Sequence, residues 1–247
     1  MTAGRPVDRM RVRYTKLGRV RFISHRDVAR TWERALRRCE LPIAYTEGFA
    51  PRPKLSFGLA LSTGHESLGE YLDVAFHRDA DPVDVDRLPP LLTPELPAGM
   101  DAQAARVLPP GADSLQQAVV SCTWHIEIGA VRPPAVADAL AGALAATALP
   151  LTRERKGRTV TDDVRPAILD ARVLGPGGSG TLIEVDLATQ PRSLRPVEVI
   201  AALDAAWVAT RVTRITQWTH DGGGARREVL DLGPAATPLP HAEVRAS

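Results

Sequence analysis

Residues 45–54 combine aromatic rings, cations and two prolines within one short segment, YTEGFAPRPK. Tyr45 and Phe49 offer ring faces on which bases can stack, and stacking is the main sequence-tolerant contribution to single-strand binding. Arg52 and Lys54 can neutralise phosphates beside those rings. We therefore predict that this loop contacts single-stranded RNA through these four side chains. The alternative is structural: Phe49 fills the core, and the prolines brace a crossover between strands.

Cations are concentrated in the first quarter of the chain, although the net charge is only +2. Residues 9–54 carry 13 Lys and Arg against 4 Asp and Glu, whereas residues 61–106 carry 3 against 9. Such a basic lobe favours an acidic or phosphate-rich partner on one face. A bias of the genome towards arginine is the alternative, because all but three of the basic residues are Arg. The candidate contacts in this lobe are Arg11, Arg13, Arg26, Arg30 and Arg37.

Two elements would position these arginines. Residues 9–15 alternate apolar and basic side chains, which predicts a half-buried strand with Arg11 and Arg13 facing outward. A helix should begin after Ser24, because Asp27 follows at the capping distance. Its apolar positions fall on one side at helical spacing, and its arginines fall on the other. Trp32 lies on the side predicted to be buried.

His25 is the one residue that suggests catalysis. A histidine near a helix start, beside the hydroxyl of Ser24, could act as a general base on a ribose or a phosphate ester. Helical geometry instead directs His25 towards the side of Trp32, and Ser24 is well explained as the N-cap. We therefore expect a structural, partly buried His25, with a catalytic role as the alternative.

Cofactor and metal chemistry find little support in the sequence. Two cysteines, Cys39 and Cys122, cannot build a disulfide framework or an iron–sulfur site by themselves. The other histidines lack partners at metal-ligand spacing. We predict no cofactor and no metal. The first twenty residues are basic and polar, and no apolar run reaches the roughly 18 residues of a membrane helix, so we expect a cytoplasmic protein without a membrane partner.

Both halves of the chain follow the order strand, helix, strands, helix, strand. This order predicts an α+β fold of two tandem ferredoxin-like (split βαβ) units, at residues 9–107 and 119–218, with a linker at 108–118. Residues 45–54 should then line the cleft between the units. Residues 219–247 are predicted to be a disordered tail, because their glycines, prolines and alanines offer little to bury.

Several motifs carry a resemblance to a known family. They are RFISH at residues 21–25, LPIAYTEGF at 41–49, PRPKLSF at 51–57 and GEYLD at 69–73. Together they resemble the signature of the radical SAM-associated protein family, a domain of unknown function that occurs alone or fused to radical SAM enzymes. The resemblance covers about residues 9–218 and implies an accessory role near radical SAM or RNA-related proteins. The chain itself lacks the Cys-x3-Cys-x2-Cys triplet that would hold the radical SAM cluster.

The leading functional hypothesis is therefore a non-catalytic RNA-binding or RNA-associated accessory protein. One alternative is a protein-interaction module that docks a radical SAM enzyme through the same loop. Another is a small nuclease or RNA-modifying enzyme that uses His25.

Overall fold

The computed structural model describes residues 7–77, 83–155, 157–191 and 193–231. The strands are β1 (Val7–Lys16), β2 (Leu55–Phe57), β3 (Glu66–His77), β4 (Ala102–Val107), β5 (Val119–Gly129), β6 (Pro150–Arg155), β7 (Arg158–Asp163), β8 (Ile168–Pro176), β9 (Gly180–Ala188), β10 (Ala209–His220) and β11 (Arg226–Glu228). The helices are α1 (His25–Arg38), α2 (Leu88–Leu92), α3 (Leu115–Ala118), α4 (Pro133–Ala145) and α5 (Pro196–Leu203). No helix in the described part of the chain is both long and apolar enough to cross a membrane.

One nine-stranded sheet runs through the molecule. Its main path is β4-β1-β3-β10-β5-β9-β8, with β2 also pairing β3 and β11 also pairing β10. Strands β3 and β10 pair in parallel, whereas the other neighbouring strands pair antiparallel. Strands β6 and β7 form a separate hairpin. The fold is therefore mixed, with helices on a large, mostly antiparallel sheet.

The structure does not confirm two tandem ferredoxin-like units, because the two halves of the chain share this sheet. The junction is the parallel pairing of Glu66 and Ser67 in β3 with Thr213 and Arg214 in β10. The sequence pattern predicts that β3 starts at Glu70, but the strand starts four residues earlier, and those extra residues supply the contact with β10. This pairing joins positions about 150 residues apart, so patterns within a short stretch of sequence cannot predict it.

The core of the first half lies between α1 and one face of the sheet. As predicted, the Ser24 hydroxyl accepts a hydrogen bond from the Asp27 amide at 3.2 Å and caps the helix. Trp32 is fully buried, and its ring packs edge-on against Tyr14 of β1 at a centroid distance of 5.0 Å. Because the apolar side of α1, which includes Trp32, is buried against the sheet, the opposite side with the arginines is exposed to solvent.

A second core lies between α4, α5 and the sheet strands of the second half. Its fully buried members alternate along β5 and β9, the period expected for strands with one covered face, and the two helices add their own buried side chains. They include Ile126, Ile128, Val136, Ile183, Val185 and Val199.

The prediction of a disordered tail at residues 219–247 is wrong for residues 219–231. Strand β10 continues to His220, and β11 pairs with it. Leu230 is 2% exposed and packs with Tyr71 and Leu115. The order comes from these tertiary contacts, which the Gly- and Pro-rich composition does not reveal. Residues 232–247 lie outside the described residues.

A buried ion pair stands next to the junction of the two halves. Arg214 donates to the Glu70 carboxylate at 2.8 Å, and both side chains are almost fully buried. The guanidinium also donates to the carbonyls of Leu59 and Ala60 and stacks over the Trp124 ring, 4.7 Å from its centroid. This one side chain therefore connects β3, β10, β5 and the segment at residues 58–65.

Glu66 forms a second charged contact at the junction. Its carboxylate is 2% exposed and accepts hydrogen bonds from the Gly18 amide at 2.9 Å, Arg21 at 3.1 Å and Arg211 at 2.8 Å. Burial by itself would raise the pKa of Glu66, but the Gly18 amide and the Arg211 guanidinium outweigh it and hold that pKa below its ordinary value. Glu66 therefore stays ionised where the two halves meet.

Replacing the central core residue should destabilise the protein strongly. We expect Trp32→Ala to lower the free energy of unfolding by about 3 to 5 kcal/mol, because it leaves a large cavity. Urea denaturation measures this change. Arg34→Ala, on the exposed side of the same helix, should stay within about 0.5 kcal/mol of the wild type. A loss below about 1 kcal/mol in Trp32→Ala would mean that this helix face does not form the core.

Removing one partner of the buried ion pair should lower the free energy of unfolding more than removing both partners does. Glu70→Leu leaves the Arg214 guanidinium buried without its carboxylate, for which we expect a loss of about 3 to 5 kcal/mol in unfolding free energy. The double variant Glu70→Leu/Arg214→Met removes the orphaned charge and should recover part of that loss. Chemical denaturation of both variants tests this; a double variant less stable than the single one would contradict it.

Candidate functional site

Residues 45–54 form a hairpin-like loop. Tyr45 bridges Pro53, the Thr46 amide donates to the Arg52 carbonyl at 2.8 Å, and the Arg52 amide donates to the Thr46 hydroxyl at 3.0 Å. These bonds close the base of the loop, although two prolines and a glycine prevent a regular strand. The loop is therefore an ordered projection, not a crossover between strands.

The tip of this loop carries an aromatic ring into solvent. Phe49 is fully exposed, next to Gly48 at a φ of +121°. Tyr45 is 38% exposed at the base, and Lys54 is exposed as well. The structural alternative for Phe49 is therefore wrong, because this ring contributes nothing to the core.

The loop does not lie in the cleft between the two halves, contrary to the prediction. Its base is fixed to the end of β3, where the Ala44 amide donates to the Ala75 carbonyl at 2.7 Å. Strand β10 joins β3 at the opposite end, at Glu66 and Ser67. The junction itself is covered by residues 58–65, whose carbonyls accept from Arg214. The loop instead faces α1.

The exposed face of α1 and the loop form a shared groove. Its volume is about 230 Å³, and its lining residues are Arg26, Ala29, Arg30, Glu33 and Arg52. Three of the predicted contact residues are thus brought together from two elements. Arg37 is also exposed, one helical repeat further along the same stripe of α1.

Most cations of this surface have no carboxylate partner among the described residues. Arg26, Arg37, Arg52 and Lys54 form no ion pair with any residue that the structure describes. Arg30 lies 3.6 Å from Asp27, but both side chains are more than half exposed. Such an exposed pair is weak and leaves the guanidinium free to contact an anion.

Arg11 and Arg13 are not part of this surface, and the prediction that they face outward is wrong. Arg11 is 5% exposed and donates to both carboxylate oxygens of Asp73, at 2.7 and 2.9 Å. Arg13 is equally buried and lies 3.7 Å from the Glu228 carboxylate. Burial lowers the pKa of Arg13, while Glu228 partly offsets this effect.

The cause of this burial is a second layer on the arginine side of β1. Residues 109–118 and 226–231 contact that side, where Arg11 donates to the Asp113 carbonyl at 3.3 Å, and their Leu115 and Leu230 pack with Tyr71 of β3. The Tyr71 hydroxyl donates to Glu228, which also pairs with Arg13. The segment predicted as a linker therefore packs on the sheet, and the arginines of β1 are structural.

His25 is exposed, so the expected partial burial is wrong. Its ring stands edge-on to Phe57 at a centroid distance of 5.1 Å and borders a small cavity with Lys16 and Glu70. Within the described part of the chain, His25 receives no hydrogen bond that would orient it as a general base. The structure therefore adds nothing specific to the catalytic alternative.

Two other titratable groups of the first half, Lys16 and His65, have lowered pKa values because they are wholly or partly buried. The Lys16 ammonium donates to the carbonyls of Arg21 at 3.2 Å and Ile23 at 3.4 Å, and burial lowers its pKa. Burial, together with Arg214 and Lys16, also lowers the pKa of His65. Among the described residues, no three His, Cys, Asp or Glu side chains lie close enough to hold a metal ion.

Sequence reasoning overlooked Glu33. This half-exposed carboxylate lines the groove between arginines. The signal was present, because Glu33 follows Arg26 by seven positions and Arg30 by three, and both spacings place residues on one helix face. Helical spacing alone could therefore have placed this carboxylate beside the arginines.

Comparison with known protein families identifies the family of this chain. The profile of a family described as an uncharacterized protein conserved in bacteria (DUF2344) matches residues 9–196. The chain belongs to this family, and the match includes α1 and the loop at residues 45–54. A search of curated proteins finds no match. The family description names no activity and no association with radical SAM enzymes.

Proposed function

We propose that the protein is a non-catalytic, cytoplasmic RNA-binding or RNA-associated accessory protein. Its binding site is the exposed face of α1 together with residues 45–54, which we call the hairpin–helix surface. The observation that supports this proposal is the groove in which Arg26, Arg30 and Arg52 converge, next to a loop that exposes Phe49 completely.

The chemistry of the surface suits a single strand. Guanidiniums bind phosphate oxygens through paired, charge-assisted hydrogen bonds. An exposed phenylalanine offers a face to any base, and single-stranded nucleic acid exposes its base faces. Because the loop is closed by hydrogen bonds at Thr46 and Arg52, the ring and the cation are positioned before the strand arrives.

The open face of the sheet in the second half is less suited to RNA. RNA-recognition motifs stack bases on sheet aromatics. Here that face is occupied by acids that already have partners: Glu184 accepts from His125 at 2.9 Å and Arg172 at 2.6 Å, and Asp186 from Arg226 at 2.8 Å. Because these carboxylates already pair with Arg172 and Arg226, the guanidiniums of this face are less available to phosphates, which favours the hairpin–helix surface.

We also propose that the two halves are ferredoxin-like repeats fused through one sheet. The strand order is β4-β1-β3-β2 in the first half and β10-β5-β9-β8 in the second. If the separate β6–β7 hairpin and the short β11 are left out of the count, both orders are fourth, first, third, second. Superposition of residues 10–107 on 119–218 in an experimental structure tests this; differing strand orders would refute it.

Binding of RNA should depend steeply on salt. We expect Arg52→Ala/Lys54→Ala to reduce the slope of log K against log salt by roughly 0.7 for each phosphate that the variant no longer neutralises. Fluorescence anisotropy with a labelled single-stranded RNA measures this slope. The matched control is Arg106→Ala/Arg132→Ala, which removes two exposed cations on β4 and at the start of α4 and should leave the slope unchanged.

Removing the aromatic rings should weaken binding without altering the salt slope. Phe49→Ala should cost about 1 to 3 kcal/mol of binding free energy, because the ring no longer stacks on a base and no counterion is involved. Tyr45→Ala should act in the same direction. Circular dichroism checks folding, and Phe49→Ala should fold normally since its ring is outside the core.

A wild-type protein that binds no RNA even at about 50 mM salt would refute the proposal, because phosphate contacts are strongest at low salt. If the same protein co-purified with a radical SAM enzyme, the hairpin–helix surface would be reassigned to a protein interface. Phe49 would then be its apolar anchor.

A further inference from the structure

The groove on the hairpin–helix surface contains one carboxylate among three guanidiniums. Glu33 lines it with Arg26, Arg30 and Arg52, yet it forms no ion pair with any residue in the described ranges. Arg30 is directed to Asp27 instead. Both carboxylate oxygens of Glu33 are therefore unpaired with any cation of the described residues and can accept hydrogen bonds from a ligand.

A carboxylate on a phosphate-binding surface weakens binding, because it repels the negatively charged phosphates of the RNA. It also supplies what the surrounding arginines cannot: guanidiniums only donate hydrogen bonds, whereas an ionised carboxylate only accepts them. A ligand group that matches Glu33 must therefore be a hydrogen-bond donor, next to phosphates held by the arginines.

Guanine fits this requirement best among the bases. Its Watson–Crick edge presents N1–H and an N2 amino hydrogen side by side, which matches the two oxygens of a carboxylate in a bidentate pair. Adenine and cytosine present an amino group beside an acceptor nitrogen, and uracil presents one N–H between two carbonyls. These acceptors would face the carboxylate oxygens and repel them.

We infer that Glu33 selects guanine in the RNA bound to the hairpin–helix surface, while Arg26, Arg30 and Arg52 hold the adjoining phosphates. This inference rests on the proposed function. It adds base preference to a surface whose other contacts, phosphate pairing and ring stacking, tolerate any sequence.

The test compares labelled oligonucleotides that differ at every third base: UUGUUGUUG, UUAUUAUUA, all-uridine, and a form with inosine in place of guanosine. The wild type should bind the guanosine form about 5- to 150-fold more tightly than the uridine or adenosine forms, the discrimination expected of a bidentate base contact. Inosine keeps N1–H but lacks the N2 amino group, so it should show only part of this preference.

Glu33→Gln supplies the matching variant. It should abolish the guanosine preference and strengthen binding of the all-uridine strand, because a repulsive charge is removed. Glu40→Gln, which removes an exposed carboxylate just beyond the end of α1, should keep the preference. A wild type that binds the guanosine and uridine forms equally overturns the inference, as does a Glu33→Gln variant that retains the preference.

Two further outcomes separate the possible failures. If no oligonucleotide binds at about 50 mM salt, the RNA-binding proposal itself fails, since phosphate contacts are strongest there. If all RNAs bind equally but Glu33→Gln loses a preference for RNA over DNA of the same sequence, guanine is overturned and Glu33 contacts the ribose 2′-hydroxyl.

Discussion

The buried pair of Glu70 and Arg214 is the interaction on which the architecture depends. It links β3 of the first half to β10 of the second, beside the short parallel pairing that joins them. Burying two charges is costly unless hydrogen bonds compensate, and here the carbonyls of Leu59 and Ala60 provide further partners for the guanidinium, although its Nε has no partner among the described residues. These two hydrogen bonds hold residues 59 and 60 against the junction.

Many of the exposed cations of the basic lobe lie on the hairpin–helix surface. Arg11 and Arg13 of β1 are buried in ion pairs, so most of the exposed cations of the basic lobe are those of α1 and the loop, with Arg19 as a further exposed cation outside them. These guanidiniums respond to ionic strength, whereas the Phe49 ring does not. Glu33 adds a hydrogen-bond acceptor that neither can replace. Such a surface can separate affinity, which comes from phosphates and stacking, from selectivity, which requires a specific donor on the ligand.

Local patterns in the sequence predicted the elements that carry this surface. The Ser24 cap, the buried position of Trp32 and the arginine side of α1 follow from spacing within fifteen residues, and the structure confirms them. The irregular loop at residues 45–54 likewise follows from its prolines and glycine. Each of these features depends on neighbours in the chain, which is why periodicity and capping rules find them.

Tertiary structure decided which of those residues are accessible. The strand pattern left Arg11 and Arg13 facing outward, but residues 109–118 and 226–231, roughly one hundred and two hundred positions away, help to bury them. The β3–β10 pairing likewise decided that one sheet is shared and that the loop lies beside α1, not between the halves. Burial and long-range pairing depend on what packs against a residue from distant parts of the chain, and alternation within one segment carries no information about that.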